Sequence, residues 1–353
     1  MQEIYDTIVI GGGQSALACA YYLRRADLNY VLLDDQPAPG ASWRSYWDSL
    51  TLFSPAMFSS LPGWLMPEST SENPLREEVI SYLTQYEQRY AIPLERPVRV
   101  QDVCHKDGLF EIRCDQRLYL ARTVISATGT FRDPIVPHYK GSKQYEGLQF
   151  HSSQYKSPET LAGKRVLIVG GGNSGAQILA EVSKVADTSW VTLEEVSFLP
   201  DDVDGRVLFD QASARYYAMQ KGEPIDPYRY SLGSIVMVPT VKEARTRGVL
   251  QTVRPFERFT ATGVVWPDSQ EEVIDAVIWC TGFGYALDHL ACLQLQRDPK
   301  GKTAVEGTRS IQQPGLWLVG YGNWTGFASA TLIGVGRSAR QTVAEIEKYL
   351  EQV

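Results

Sequence analysis

The sequence predicts an α/β protein of two similar units, the second inserted into the first, with a small β-meander beside them. Three observations predict this. Two glycine-rich turns, Gly11-Gly12-Gly13-Gln14-Ser15-Ala16 and Gly170-Gly171-Gly172-Asn173-Ser174-Gly175, each follow a short apolar run and open a helical stretch. An acidic residue closes each repeat at nearly the same distance: Asp34 lies 23 residues after Gly11, and Glu194 lies 24 after Gly170. An apolar strand ending in Thr-Gly occurs twice, at Val124–Gly129 and Val277–Gly282. Together they describe two three-layer, Rossmann-like dinucleotide-binding domains, residues 1–135 with 283–353 and residues 136–282.

Composition bounds the rest. A hydrophobic share of 44% and a charged share of 21% over 353 residues are those of a water-soluble globular chain. The net charge of −7 argues against a general nucleic-acid binder, which needs a basic face. The N-terminal MQEIYDTIVIGGG runs straight into a strand, with no basic stretch ahead of an apolar one, so no signal peptide is expected. No apolar run approaches the ~20 residues of a membrane helix. The expected location is the cytoplasm, with no membrane partner. Five cysteines are scattered without a CxxC pair, so neither a disulfide framework nor a metal site is expected.

In the first unit, Thr7–Ile10 is the strand, Ala16–Arg25 the helix and Tyr30–Leu33 the second strand. Gly11 allows the tight turn, Gly13 lets the backbone approach a pyrophosphate, and Gln14, Ser15 and Ala16 open the helix whose N–H groups face the phosphates. Asp34 accepts hydrogen bonds from a ribose. In the second unit, Val166–Val169 is the strand, Gln177–Lys184 lies in the helix and Trp190–Leu193 is the next strand. Gly170, Gly172, Asn173, Ser174, Gly175 and Glu194 repeat the same roles. Two dinucleotide sites in one chain imply electron transfer, with a tightly held flavin (FAD) in the first and a dissociable NADPH or NADH in the second.

After Asp34 a long irregular stretch reaches Pro67, rich in Trp43, Tyr46, Trp47, Phe53, Met57, Phe58, Leu61, Trp64, Leu65 and Met66. A loop this apolar must cover something. One reading closes the core or forms a homodimer patch; the other lids the flavin and a substrate cavity, with Trp43 at the cofactor. A helix over Leu75–Arg89 reads as core-facing, and Val98–Val103, Leu109–Cys114 and Leu118–Leu120 as the meander. Thr128-Gly129 and Thr281-Gly282 let the chain cross close to a cofactor or change domain. The strand Leu316–Gly320 and the turn to Thr331, ahead of a helix ending near Glu351, form a corner in which Gly320 and Thr331 face the flavin. Val196–Leu250 is an excursion holding Tyr216, Tyr217, Tyr228, Tyr230, Lys242, Arg245 and Arg247, suited to a substrate entrance or a dimer contact.

Between the two glycine loops stands Tyr145-x-Gly147-x3-His151-x3-Tyr155. With the paired Thr-Gly strands, it makes the chain resemble the class B flavin-containing monooxygenases over essentially its whole length. DSLTLFSPAMFSSLPGWLMP and NWTGFASATLIGVG are similar to the short flavoproteins of arsenic- and metal-resistance operons. The resemblance implies that NAD(P)H reduces FAD, that O2 adds to give a C4a-hydroperoxide, and that one oxygen passes to a small soft nucleophile such as S, N or As(III). It places His151 in a signature that positions the nicotinamide. Asp48 and Asn323 are the polar candidates at the reacting centre.

Two departures stand out. Phe53, before Ser54-Pro55, occupies the place of an Asn that steadies the peroxide in typical members, which leaves an NAD(P)H oxidase or reductase outcome open. Glu194 favours a free ribose 2′-OH, so NADH is expected to serve at least as well as NADPH. A redox-sensing flavoprotein without turnover is the alternative from another class. A disulfide reductase would need a CxxC beside the flavin.

Overall fold

The computed structural model describes residues 3–115, 117–224 and 234–353. Tyr228 and Tyr230 of the excursion lie outside them. In chain order, β1 (Ile4–Ile10), α1 (Gln14–Arg25) and β2 (Tyr30–Leu33) form the first glycine-loop repeat, followed by α2 (Arg76–Arg89) and β3 (Leu94–Glu95). The meander is β4 (Val100–Lys106), β5 (Leu109–Cys114) and β6 (Leu118–Ser126). Next come β7 (Leu148–His151), β8 (Arg165–Val169), α3 (Asn173–Val182) and β9 (Asp187–Val191). Helices α4 (Gly205–Lys221) and α5 (Pro239–Thr246) precede β10 (Thr252–Val253), β11 (Arg258–Phe259), β12 (Gly263–Val265), β13 (Glu271–Val273) and β14 (Ala276–Trp279). The chain closes with β15 (Val305–Glu306), β16 (Arg309–Ser310), β17 (Leu316–Leu318) and α6 (Val335–Leu350).

The described chain forms two compact units, 1–44 with 54–133 and 284–353, and 45–53 with 134–283. The first holds a sheet in the order β15-β16-β17-β6-β1-β2-β3, with β5 also on β6 and β4 on β5. Its β17, β6, β1, β2 and β3 run parallel. All of β2 and the last four residues of β1 are buried, as befits parallel strands covered on both faces. The second unit holds the parallel sheet β10-β9-β8-β14-β7 and a separate antiparallel sheet β11-β12-β13.

Three sequence expectations need correction. Leu118–Leu120 and the apolar run from Val124 into the first Thr-Gly corner are one strand, β6: its first residues pair antiparallel with β5, and from Leu120 to Ser126 it pairs parallel with β1. The aromatic stretch does not stay with the first unit. Ser45–Phe53 belongs to the second, where Trp47 is buried in a core with Tyr155, Val166, Ile178 and Trp190. The remainder is pinned in the first unit by two tyrosines of α2. Tyr82 Oη accepts from the Leu61 amide at 2.8 Å and donates to the Trp64 carbonyl at 2.7 Å, and Tyr86 Oη donates to the Pro62 carbonyl at 2.5 Å. Finally, Cys104 on β4 is disulfide-bonded to Cys292, 188 residues away. No local motif announces a pairing that the fold alone brings together.

Helix α3 packs on its strand without room for a side chain at its third residue. A Cβ on Gly175 would sit 2.2 Å from the Gly170 carbonyl oxygen. Helix propensity alone favours alanine there by about 1 kcal/mol. The clash outweighs it, so Gly175→Ala is expected to lower unfolding stability by about 1–3 kcal/mol in urea titrations. An unchanged midpoint would show that the helix can shift freely.

Candidate functional site: two dinucleotide cradles

The first cradle is built at the carboxyl end of β1. Gly11 has φ +117°, and its Cβ would lie 2.6 Å from the Ala127 carbonyl, so only glycine passes under β6 here. A Cβ on Gly12 would meet the Asp34 side chain at 2.3 Å. Gly13 is the N-cap of α1 and supplies no side chain to cap it, and the first turn carries no acidic residue. The helix therefore presents its free N–H groups and positive end outward, as an anion site requires. Gln14 braces the loop: its Nε2 donates to the Ala330 carbonyl at 2.7 Å and its Oε1 accepts from Trp43 Nε1 at 3.1 Å. Ser15 faces Gly320, whose Cβ would fall 2.0 Å from the Ser15 hydroxyl. Ala16 is fully buried.

Asp34 is buried at the end of β2, and its carboxylate is held by a residue that sequence reasoning missed. Arg96 Nε donates to Asp34 Oδ2 at 3.0 Å, while its terminal nitrogens bind both oxygens of Glu87 at 2.7 and 2.9 Å. Burial pushes the Asp34 carboxyl up from its ordinary range, and the Arg96 guanidinium opposes that shift. One carboxylate oxygen is thus fixed by Arg96, and the other accepts from the Gln36 amide at 3.3 Å with a lone pair to spare. Arg96→Ala leaves the buried Asp34 carboxylate and the half-buried Glu87 carboxylate without their cation. It is expected to weaken FAD binding about 10- to 100-fold, measured by flavin fluorescence titration of the apoprotein.

The second cradle repeats the first. Gly170 has φ +131°, with a Cβ position 2.2 Å from the Cys280 carbonyl. Gly172 caps α3 without a side chain, and the space where its Cβ would point is open. Asn173 is partly committed, since its Oδ1 accepts from the Val236 amide at 2.9 Å and docks the excursion onto the loop. Ser174, beside it, is half-buried.

The register corrects the acidic residue. The Gly11 amide bonds the Leu33 carbonyl, and the Gly170 amide bonds the Val191 carbonyl. Asp34 therefore corresponds to Thr192, not Glu194. Thr192 is buried and lies against the Gly171 Cβ position as Asp34 lies against Gly12. Glu194 is exposed beyond the strand end, where its carbonyl accepts from Thr192 Oγ1 at 2.8 Å. A cation, Arg254, borders this strand end: its Nη1 donates to the Leu193 carbonyl at 2.9 Å. Arg206 is engaged with Asp204, and Arg245 is paired with Asp201.

The two Thr-Gly corners share one geometry. Thr128 Oγ1 donates to the Ala286 carbonyl at 2.6 Å, and Thr281 Oγ1 donates to the Ile135 carbonyl. Gly129 and Gly282 follow with φ of +68° and +82°. In the first unit a buried cluster supports the corner: Tyr321 Oη lies 2.5 Å from Ser126 Oγ and 2.7 Å from Thr128 Oγ1, and Ser126 Oγ lies 3.0 Å from His289 Nε2. Burial lowers the His289 pKa to about 4. An imidazole held neutral below its unfolded pKa of about 6.5 makes the unfolded state the better proton binder. Stability contributed by His289 is full above pH 6.5 and is lost as pH falls, by about 1.4 kcal/mol per pH unit down to about pH 4. Denaturant titrations between pH 4 and 7 of the wild type and His289→Gln test this; equal slopes would refute it.

The signature residues prove to be packing and positioning groups. Tyr145 is buried and donates to the Ile274 carbonyl at 2.9 Å, and a Cβ on Gly147 would strike its ring. Tyr155 donates to Glu181 Oε2 at 3.0 Å. His151 is buried with both ring nitrogens used. The Ser153 amide donates to Nδ1 at 3.1 Å, which places the proton on Nε2 for the 3.0 Å bond to the Gly282 carbonyl. Burial also lowers its pKa. His151 therefore holds the second Thr-Gly corner and has no nitrogen left for proton transfer.

The other two polar candidates belong to different units. Asp48 is exposed in the second unit, where its amide bonds the Lys156 carbonyl. Asn323 is exposed in the first unit, and its Oδ1 faces the Ala328 amide at 3.4 Å. Thr331 also turns inward: its hydroxyl donates to the Ala328 carbonyl and accepts from the Gly334 amide, so α6 begins only at Val335. Trp324, by contrast, has a buried Nε1 with no partner among the described residues, a donor in the Gly320–Thr331 loop that the sequence did not flag.

Comparison with known proteins agrees with this pair of cradles. Residues 8–202 match the family model described as pyridine nucleotide-disulphide oxidoreductase. A flavin-containing monooxygenase from Stenotrophomonas maltophilia superposes with a TM-score of 0.90 at 50% identity, over 99% of this chain and 100% of that one. An uncharacterized oxidoreductase, CzcO, from Bacillus velezensis is 30% identical over 97% of this chain and 99% of its own. Indole-3-pyruvate monooxygenase YUCCA1 from Oryza sativa subsp. japonica is 25% identical over 96% and 90%. The chain belongs to the pyridine nucleotide-disulphide oxidoreductase family, in its class B flavin monooxygenase branch. It is an oxidoreductase that works with FAD and NAD(P)H. Among the described residues, no helix is long and apolar enough to cross a membrane.

Proposed function

We propose that this chain is an NAD(P)H-dependent monooxygenase that passes one oxygen atom of O2 to a small soft nucleophile: sulfur, nitrogen or a trivalent arsenical. The observation that carries the reading is the match to a flavin-containing monooxygenase along the full length of both chains, at half of all positions. When bound, the two cofactors supply hydride transfer and oxygen activation. The chain's residues do the rest. Gly11, Gly13, Gln14, Ser15 and Ala16 hold the FAD pyrophosphate on the N-terminus of α1, Asp34 takes the ribose, and Trp43, Thr128, Gly129 and Gly320 line the approach. Gly170, Gly172, Asn173, Ser174 and Gly175 do the same for NAD(P)H, with Thr281 and Gly282 at the corner that His151 positions.

With Thr192 at the strand end in place of an acid, the second cradle takes NADPH as readily as NADH, and Arg254 is the cation for the 2′-phosphate. Arg254→Ala is expected to lower kcat/KM for NADPH about tenfold while changing that for NADH less than about twofold, because a charged hydrogen bond is lost only with the phosphate. Equal losses for both would assign Arg254 a purely structural role.

Phe53 favours a second reading. It offers no polar side-chain group, and its carbonyl is used by the Gly205 amide. In that case the enzyme is an NAD(P)H oxidase releasing hydrogen peroxide. Turnover under 18O2 with methyl phenyl sulfide decides between them. The proposal expects labelled sulfoxide in proportion to the NADPH consumed; stoichiometric peroxide without labelled product, for thioether, amine and arsenite alike, would establish the oxidase.

A further inference from the structure

We propose that Cys104 and Cys292 form a thiol–disulfide exchange site on the first unit, reduced by small dithiols, and that the state of this bond controls how firmly the first cradle retains FAD. Cys292 is exposed and Cys104 half-buried, whereas the other three cysteines, Cys19, Cys114 and Cys280, are buried. Only the bonded pair is therefore open to a reductant in solution.

The position of the bond in the chain gives it leverage. The first unit is discontinuous, and its parts 54–133 and 284–353 are separated by the whole of residues 134–283. Cys104 lies in the earlier part and Cys292 in the later, so the bond closes the chain around the inserted unit and ties the two parts covalently.

From the bond a short path of contacts leads to the cradle. Cys292 lies in the 3₁₀ turn Asp288–Leu293. Three residues earlier in that turn, His289 reaches Ser126 Oγ at 3.0 Å, and Ser126 is held by Tyr321. The next residue, Ala127, carries the carbonyl under which Gly11 passes. Besides the disulfide, the turn carries an ion pair, Asp288 with Arg297 at 3.7 Å, and a bond from Arg297 to the Leu287 carbonyl, while Leu287, Leu290 and Leu293 pack on the core of the first unit. Such an exposed pair restrains weakly. With the disulfide open, the turn is held by the apolar packing of Leu287, Leu290 and Leu293 and by His289, and strand β6 loses one covalent tie beneath the phosphate loop.

The exchange balances without any further reactant. One thiolate of the dithiol attacks Sγ of Cys292, the Cys104–Cys292 bond breaks and a mixed disulfide forms. The second thiol of the reductant displaces Cys292 and closes the reductant's own ring. Two electrons and two protons pass from the dithiol to Cys104 and Cys292, which end as thiols.

The test uses the holoenzyme, either air-equilibrated or reduced with dithiothreitol and desalted without oxygen. Thiols titrated in denaturant are expected to rise from three to five, as the bonded pair joins the three free cysteines. FAD release, followed by flavin fluorescence, is expected to be about fivefold faster after reduction, at the lower end of typical coupling between two sites, and to recover on reoxidation. The double substitution Cys104→Ser with Cys292→Ser should release FAD rapidly whether or not dithiothreitol is present. Should it fail to fold, wild type reduced and capped with iodoacetamide supplies the same comparison. Five thiols in the air-equilibrated holoenzyme, or equal FAD release from oxidised and reduced wild type, overturns the proposal.

Discussion

The constraint on which the rest depends is one close approach, made twice. At the end of β1 and again at the end of β8, a glycine with positive φ passes beneath a carbonyl of the neighbouring parallel strand, where a Cβ would lie 2.6 or 2.2 Å from oxygen. The approach ends each first strand and turns the backbone into a helix N-terminus. It also forces the crossing strand to end in Thr-Gly, because that strand has to leave the sheet at the same level. The phosphate loop and the crossover corner are thus two sides of one contact. The buried hydroxyl of Tyr321 stiffens it in the first unit, and the His151 imidazole does so in the second.

The most diagnostic motif acts on the same frame. Tyr145, Gly147, His151 and Tyr155 touch core, backbone and one half-buried carboxylate. Their spacing follows from the geometry of β7 beside β14: Tyr145 and Gly147 pack against each other just ahead of the strand, His151 closes its end, and Tyr155 returns to α3. A sequence pattern can mark a function faithfully while acting only on the frame that holds it.

Features that depend on neighbours in sequence were legible. Gly-rich turns, β-branched runs and the doubled Thr-Gly ending are local, and their order already described nested parallel units. Features that depend on register were not. Counting from the glycine loop points to Glu194, but the strand ends at Val191, and the hydrogen bond from Gly170 to Val191 identifies Thr192 as the counterpart of Asp34. Arg96, which clamps Asp34 from 62 residues away, carries no motif. Neither does the Cys104–Cys292 pair, and Trp47 sits within a loop yet packs in the core of the second unit.

By itself, then, the sequence determined the class of the protein: two dinucleotide cradles, their order, and the interruption of one unit by the other. Glycine and β-branched residues act through the conformation of their own backbone, and that information survives without a fold. The tertiary structure alone decided which side chains complete each cradle. Asp34 needs a cation, the corner needs Tyr321 and His289, and the second ribose site needs the residue that register places there. Each is a contact between segments brought together only when parallel strands align, and no local pattern records it.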